Sequence, residues 1–279
     1  DVAFRKIFGT EAHKNLLISF LNEILEKKGI HLIKEVTFLN PMQNPEFFSD
    51  KQSIVDVLCT DEAGVQYIVE MQVAFHDGFE KRAQYYAAKA YCSQMQKKGL
   101  YKDLKEVIFL GLLNFTMFPD KSSYKSMHVT LDKESKEHDL KAFSFTFVEL
   151  PKFDKAFEDL KTEEDRWLYY FKHSEDSQGF KKLLTVDSPV IQEACYLIDR
   201  FNWSEEEINA YEAVQKREWD NKARESYVFS EGKVEGRIEG KIEGKIEIAT
   251  NLIRKNKFNL EDVAEITGLS LGEVKALIK

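Results

Sequence analysis

"IVDVLCTDEAGVQYIVEMQV", residues 54 to 73, is the stretch on which the fold turns. β-Branched and aromatic residues dominate both halves, and Asp61, Glu62, Ala63 and Gly64 interrupt them, so the stretch reads as a β-hairpin. If Glu62, Ala63 and Gly64 form a three-residue loop with Gly64 in the left-handed conformation, Asp61 pairs with Val65. Val57 then meets Val69, Asp56 meets Glu70, and Ile54 meets Gln72. This register sets two carboxylates face to face. Directly opposed residues have Cβ atoms about 4.5 to 5.5 Å apart, and like charges there are destabilising unless something compensates them.

A divalent cation compensates two facing carboxylates. Mg²⁺ takes hard oxygen ligands, typically one or two carboxylates with waters and phosphate oxygens. Asp56, Glu70 and the backbone carbonyl of Met71 are the candidate protein ligands. Gln72, two residues on and on the same face, is placed to orient a water or a phosphate oxygen, which outlines a metal-assisted hydrolysis site. Spacing alone leaves a solvated hairpin face equally open, because alternating strands carry charged residues on one side as a rule. The same face also holds Leu58 and Ile68, so it is partly apolar and expected to be covered, and unpaired carboxylates under a cover are costly.

The 279 residues, 43% of them apolar, suffice for a substantial buried core. Forty Lys plus Arg against 48 Asp plus Glu leave a net charge of -8. Any nucleic-acid contact therefore rests on a local basic surface and not on a global positive field. The three cysteines, Cys59, Cys92 and Cys195, lack CxxC spacing, so neither a disulfide framework nor a cysteine zinc site is indicated and a cytoplasmic location is expected. No apolar run reaches the roughly 20 residues of a membrane span, so no membrane partner is expected.

Outward from the hairpin, residues 11–28 space Leu16, Leu17, Phe20, Leu21, Ile24 and Leu25 as a helical stripe. A short strand is expected at 35–39, longer strands at 53–60 and 65–74, a helix at 79–98, a fully buried strand at 106–115, and strands at 124–131 and 143–150. Beyond Pro151 the pattern turns helical, around 162–173, 189–201 and 205–229. "EGKVEGRIEGKIEGKIE" (231–247) repeats every four residues, and 259–279 reads as helix, turn at Gly268, helix.

"DVLCTD" and "IVEMQ", with "FEKRAQYYAAKAY" after them and "DVAFRKIFG" before, resemble the Rpn family of recombination-promoting nucleases, a transposase-related group within the PD-(D/E)XK nuclease superfamily. The resemblance covers at least residues 1 to 153. It implies an α/β, restriction-endonuclease-like core with a mixed sheet flanked by helices, and Mg²⁺-dependent cleavage of DNA phosphodiester bonds, with Mn²⁺ or Ca²⁺ as other candidate ions. By position it makes Asp56 and Glu70 metal ligands and puts Gln72 where the wider superfamily has lysine. That departure leaves open which group activates water, and Lys81 or Arg82 on the following helix is the candidate for the missing positive charge. Asp1 matches the family's leading aspartate, with a supporting role at the metal or its water. Arg82 and Gln84 are candidates for DNA contact.

In the four-residue repeat, glycines, aliphatic residues, basic residues and glutamates each form their own drifting stripe. Like charges at i,i+4 and the glycines weaken such a helix in isolation, whereas a second copy aligned with it sets basic against acidic stripes. A self-association helix and a low-complexity linker are both open. The terminal "DVAEITGLSLGEVKAL" resembles a helix-turn-helix, but its second helix offers phosphates only Lys275 and Lys279, which favours a small packing or dimerisation module. The expected organisation is a nuclease core at 1–153, a helical extension at 154–229, the repeat helix at 230–250 and the small module at 251–279. The expected function is a Mg²⁺-dependent DNA endonuclease associated with recombination or mobile elements and forming a homo-oligomer. The alternative is a DNA-binding or regulatory module of transposase origin whose cleavage has weakened.

Overall fold

The computed structural model of the chain describes residues 2–43, 53–95, 99–173, 176–199, 203–255 and 257–278. Its strands are β1 (Val36–Phe38), β2 (Met42–Gln43), β3 (Ser53–Ile54), β4 (Val57–Asp61), β5 (Gln66–Gln72), β6 (Val107–Leu113), β7 (Lys125–Val129) and β8 (Phe143–Glu149). Its helices are α1 (Val2–Phe8), α2 (Lys14–Ile24), α3 (Phe79–Ser93), α4 (Glu163–His173), α5 (Ser177–Leu183), α6 (Pro189–Ile198), α7 (Glu205–Lys255), α8 (Leu260–Thr267) and α9 (Leu271–Ala276). Contacts divide the chain into two units, 1–211 and 212–279.

The hairpin forms in the register that its turn dictates. Gly64 is left-handed at φ 84°, the Asp61 amide donates to the Val65 carbonyl at 3.0 Å, and Val57 stands opposite Val69, Leu58 opposite Ile68. Asp61 also clamps the turn from its side chain, since its Oδ1 accepts from the Ala63 and Val65 amides, both at 2.9 Å. The ladder stops at Val57, however. The expected strand over 53–60 is broken at Val55 and Asp56, and Ile54 pairs with Met42 in a separate two-stranded ribbon instead of meeting Gln72.

Six strands make one mixed sheet in the order β1-β4-β5-β6-β8-β7. β6 runs parallel to both β5 and β8, and every one of its residues is buried, as a continuous apolar run in the middle of a covered sheet requires. One face, with Val57, Cys59, Val69, Leu110 and Val148, packs against Phe4 and Phe8 of α1, the apolar stripe of α2, Trp167 of α4 and Ile191 of α6. The other face, with Leu58, Ile68, Phe109 and Phe147, is closed by Phe79, Ala83, Ala87 and Ala90 of α3. The alanines let that helix lie close to the sheet.

Several elements differ in detail from the sequence expectation. The helix expected at 11–28 opens with a 3-10 turn at Glu11–His13 and ends at Ile24, two residues before Glu26 takes a left-handed φ of 55°. The helix expected at 79–98 is described as far as Ser93, and residues 96–98 lie outside the described ones. α5 was not anticipated; Asp176 caps it by accepting from the Gln178 and Gly179 amides.

The segment expected at 205–229 and the repeat are one uninterrupted helix, α7, which from residue 212 onward belongs to the second unit. Its C-terminal Ala249, Leu252 and Ile253 share a small core with Val263, Leu269 and Val274. α8 and α9 both open on capping boxes, Asn259 with Asp262 and Ser270 with Glu273, and Gly268 between them is left-handed at φ 62°. Among the described residues no helix is long and apolar enough to cross a membrane.

A Gly64→Ala variant tests the turn. Its Cβ meets only the flexible Lys105 side chain, at 3.2 Å from Cγ, so the loss comes from the backbone, about 1 to 2 kcal/mol for an L-residue held left-handed. Urea unfolding is expected to show a lower midpoint with an unchanged slope. An unaltered midpoint would mean that the turn does not hold the hairpin in this way.

Candidate active site

Where the β4 ladder ends, side chains take over from backbone pairing. The Met71 amide, turned towards the departing strand, donates to Asp56 Oδ2 at 3.0 Å, and the Asp56 amide donates to Glu70 Oε1 at 3.1 Å. A backbone N–H left without a partner under a covered face is costly, so the two carboxylates are held where the strands diverge because they satisfy those donors. Residues of a strand direct N–H and C=O to the same side, so the Met71 carbonyl faces this gap as well.

Two further side chains extend the pair into a row. Gln72 Nε2 donates to Glu70 Oε2 at 3.0 Å, and Arg82 Nη2 donates to Gln72 Oε1 at 2.6 Å. The Arg82 guanidinium lies 4.9 Å over the Phe79 ring, and its Nε is buried without a hydrogen-bond partner. At the other end Arg5 donates from both Nε and Nη2 to Asp56 Oδ1, at 3.2 and 3.0 Å. The row is Arg5, Asp56, Glu70, Gln72, Arg82.

Glu70 is 4% exposed. Burial first, and the neighbouring Asp56 charge second, push its carboxyl up to about 8, while Arg82, the Asp56 amide and Gln72 work in the opposite direction. Beside it on β6 stands Gly111, in register with Glu70. A Cβ there would come within 3.0 Å of the Phe147 ring. Tyr86, one turn beyond Arg82 on the same helix edge, has its hydroxyl raised chiefly by burial, and the charges of Arg82, Glu70 and Asp56 all act on it.

The structure thus brings Asp56, Glu70, Met71, Gln72 and Arg82 together. It does not bring Lys81 or Gln84 to the carboxylates. With Phe79, Ala83, Ala87 and Ala90 against the sheet, Lys81 falls on the outer side of α3 and is exposed. Gln84 turns its amide to the Glu80 carbonyl of its own helix at 3.0 Å and lies on the opposite edge of α3, where it lines a separate 340 Å³ cavity with Phe143, Phe145 and Phe147. Asp1 lies outside the described residues. Arg5 is the residue that sequence reasoning missed: no spacing rule links it to Asp56, and only the docking of α1 through Phe4, Ile7 and Phe8 delivers it.

The donor set suits a hard divalent cation. All candidate ligands are oxygens, both carboxylates keep lone pairs beyond their present hydrogen bonds, and the Arg5 guanidinium already places positive charge on Asp56. Two carboxylates are within the number that Mg²⁺ commonly uses. Among the described residues no group of three or more His, Cys, Asp or Glu side chains is assembled that could hold a metal.

No curated protein and no solved structure matches the chain. A family model does, and nucleases of that kind generally use divalent metal ions. The match runs over residues 1–227, from Arg5 through the facing carboxylates into α7, and by it the chain belongs to the family described as PD-(D/E)XK nuclease family transposase.

Proposed function

We propose that this chain is a divalent-metal-dependent DNA endonuclease that hydrolyses phosphodiester bonds, with Asp56, Glu70 and the Met71 carbonyl as the metal ligands. The carrying observation is the pair itself: a buried Glu70 bonded to the backbone of Asp56, with an arginine at each end of the row. Mg²⁺ is the expected ion, with Mn²⁺ or Ca²⁺ able to take its place. Such an ion supplies stabilisation of the negative charge that builds on the phosphate and eases deprotonation of a water.

The chain's own residues do the rest. Gln72 donates from Nε2 to Glu70 and accepts at Oε1 from Arg82, so its amide is held at both ends and presents a fixed dipole to the phosphate or its attacking water. Arg82 carries its charge to the position where the wider superfamily has lysine. Its contribution is electrostatic: it donates to Gln72 and brings positive charge to the row. On a chain of net charge -8, Arg5 and Arg82 bring positive charge to either end of the carboxylate row, which favours the approach of a phosphate there. The glutamine in place of lysine also supports a second reading, a DNA-binding or regulatory module whose cleavage has weakened.

The repeat supports assembly with a second copy of the chain. Val234, Ile238, Ile242 and Ile246 are exposed, and a Cβ added at Gly232, Gly236, Gly240 or Gly244 meets nothing within 4 Å. Aligned copies bury the aliphatic stripe and set Lys233, Arg237, Lys241 and Lys245 against the partner's glutamates. A repeat of four exceeds 3.6 residues per turn, so the supercoil is right-handed.

Plasmid nicking with Mg²⁺ is expected for the wild type and is reduced at least about a hundredfold in Asp56→Ala and Glu70→Ala. Equal activity in all three would place the chemistry elsewhere, and DNA binding without nicking in any would favour the regulatory module. Glu70 also sets a pH dependence. The folded chain keeps this proton up to about 8 whereas the unfolded chain releases it near the ordinary 4.5, so stability falls as pH rises between those values. A cation must displace the proton, so its affinity is expected to climb about tenfold per pH unit below 8 and level off above it. Isothermal titration across pH 6 to 9 reads this; a flat profile, or one retained in Glu70→Gln, would reject it. For assembly, sedimentation of the full chain is expected to show a higher-order species that Ile238→Lys with Ile242→Lys dissociates; a wild-type monomer would overturn it.

A further inference from the structure

Arg5 stands at one end of the carboxylate row with an unusual geometry. A guanidinium commonly meets a carboxylate as a fork, one N–H to each oxygen. Here both donors converge on Asp56 Oδ1, because Oδ2 is taken by the Met71 amide. Oδ1 is therefore the oxygen of Asp56 left to a metal ion, and Arg5 sits on it. The Arg5 side chain is 51% exposed while that of Asp56 is 9% exposed, so the arginine is the partner with room to leave. Its backbone is not: Phe4, Ile7 and Phe8 anchor α1 in the core, which tethers the guanidinium beside the site after it lets go of the carboxylate.

Resting on the proposed metal-dependent reading, we infer that Arg5 is an exchangeable clamp: it competes with the divalent cation for Asp56 Oδ1 and transfers to an anionic DNA phosphate when cation and DNA bind together. A guanidinium and a divalent cation repel one another across a shared oxygen, so the cation alone binds against Arg5. A DNA phosphate offers the displaced guanidinium a new anionic partner and removes that penalty. Cation and DNA then strengthen each other's binding through one side chain, as reciprocal linkage requires. The same residue that weakens binding of the cation by itself holds the substrate once both are present, which restricts a loaded site to chains that carry DNA.

Arg5→Met keeps the apolar stem and removes the charge. Mn²⁺ binding to the full-length protein, counted by electron paramagnetic resonance, is measured with and without a short phosphorothioate DNA duplex. For the wild type, the duplex is expected to tighten Mn²⁺ binding about fivefold or more. Arg5→Met is expected to bind Mn²⁺ more tightly than wild type without DNA and to lose most of the gain on adding the duplex, with Arg5→Lys in between. Far-ultraviolet circular dichroism confirms that α1 and the sheet are retained. Unchanged Mn²⁺ affinity in Arg5→Met, with Glu70→Gln still abolishing binding, would overturn the clamp alone. Weaker affinity in Arg5→Met would overturn it too, making Arg5 a prop for Asp56. Wild-type binding indifferent to Glu70→Gln would remove the metal site and the clamp with it.

Discussion

Two carboxylates bonded through one backbone amide, Glu70 accepting from Asp56 N–H, are the constraint around which the first unit is arranged. Like charges that close need donors, and the fold supplies them from separate parts of the chain: the Met71 amide from within the hairpin, Gln72 from two residues on and Arg5 from α1, with Arg82 of α3 holding Gln72 in place. Each donor depends on packing elsewhere. The alanine face of α3 brings Arg82 down to the sheet, and the aromatic cluster of Phe4, Phe8, Phe20 and Trp167 pins α1. The second buried carboxylate of this sheet, Glu149 at the end of β8, shows the contrast. It is closed off by the Met117 and Phe118 amides and by Lys152, which makes it a lock on local structure, whereas Asp56 is bridged to a half-exposed arginine.

Much of this was legible from residue types. The left-handed requirement at Gly64 set the hairpin register, and with it the facing of Asp56 and Glu70, because a two-residue alternation carries one known pair along the whole ladder. The apolar run at 106–115 announced a fully buried strand, and Leu58 and Ile68 announced that the carboxylate face would be covered; that α3 is the cover is a finding of the structure. The break at Asp56 was not legible: strand propensity continues through Ile54 and Val55, and the interruption arises because the Asp56 side chain, not the Val55 carbonyl that the register would set opposite, satisfies the Met71 amide. Arg5 was hidden for a different reason, since its partner lies across a tertiary contact that no local pattern encodes. Lys81 and Arg82 are equivalent by composition, and only the helical phase of α3 separates the one in solvent from the one on Gln72.

The second unit rests on other forces. α7 carries four glycines and stacked like charges, yet continues unbroken to Lys255, and its C-terminal end is stitched to α8 and α9 by a core of four buried residues. Capping residues there do what a large core does in the first unit: Asn259, Asp262, Ser270 and Glu273 satisfy amides that the short helices leave open.

The loop at Glu62–Gly64 lies at the far end of the hairpin from the carboxylates and touches none of them, yet it controls their parity. Inserting or deleting one residue there exchanges the two faces of one strand relative to the other. Glu70 and Gln72 would turn towards the aromatic layer beneath α1 while Val69 and Met71 rose beneath α3. A surface loop that would ordinarily tolerate length changes is thereby made as sensitive as a ligand position, and variation in it is confined to substitutions that keep its count of residues.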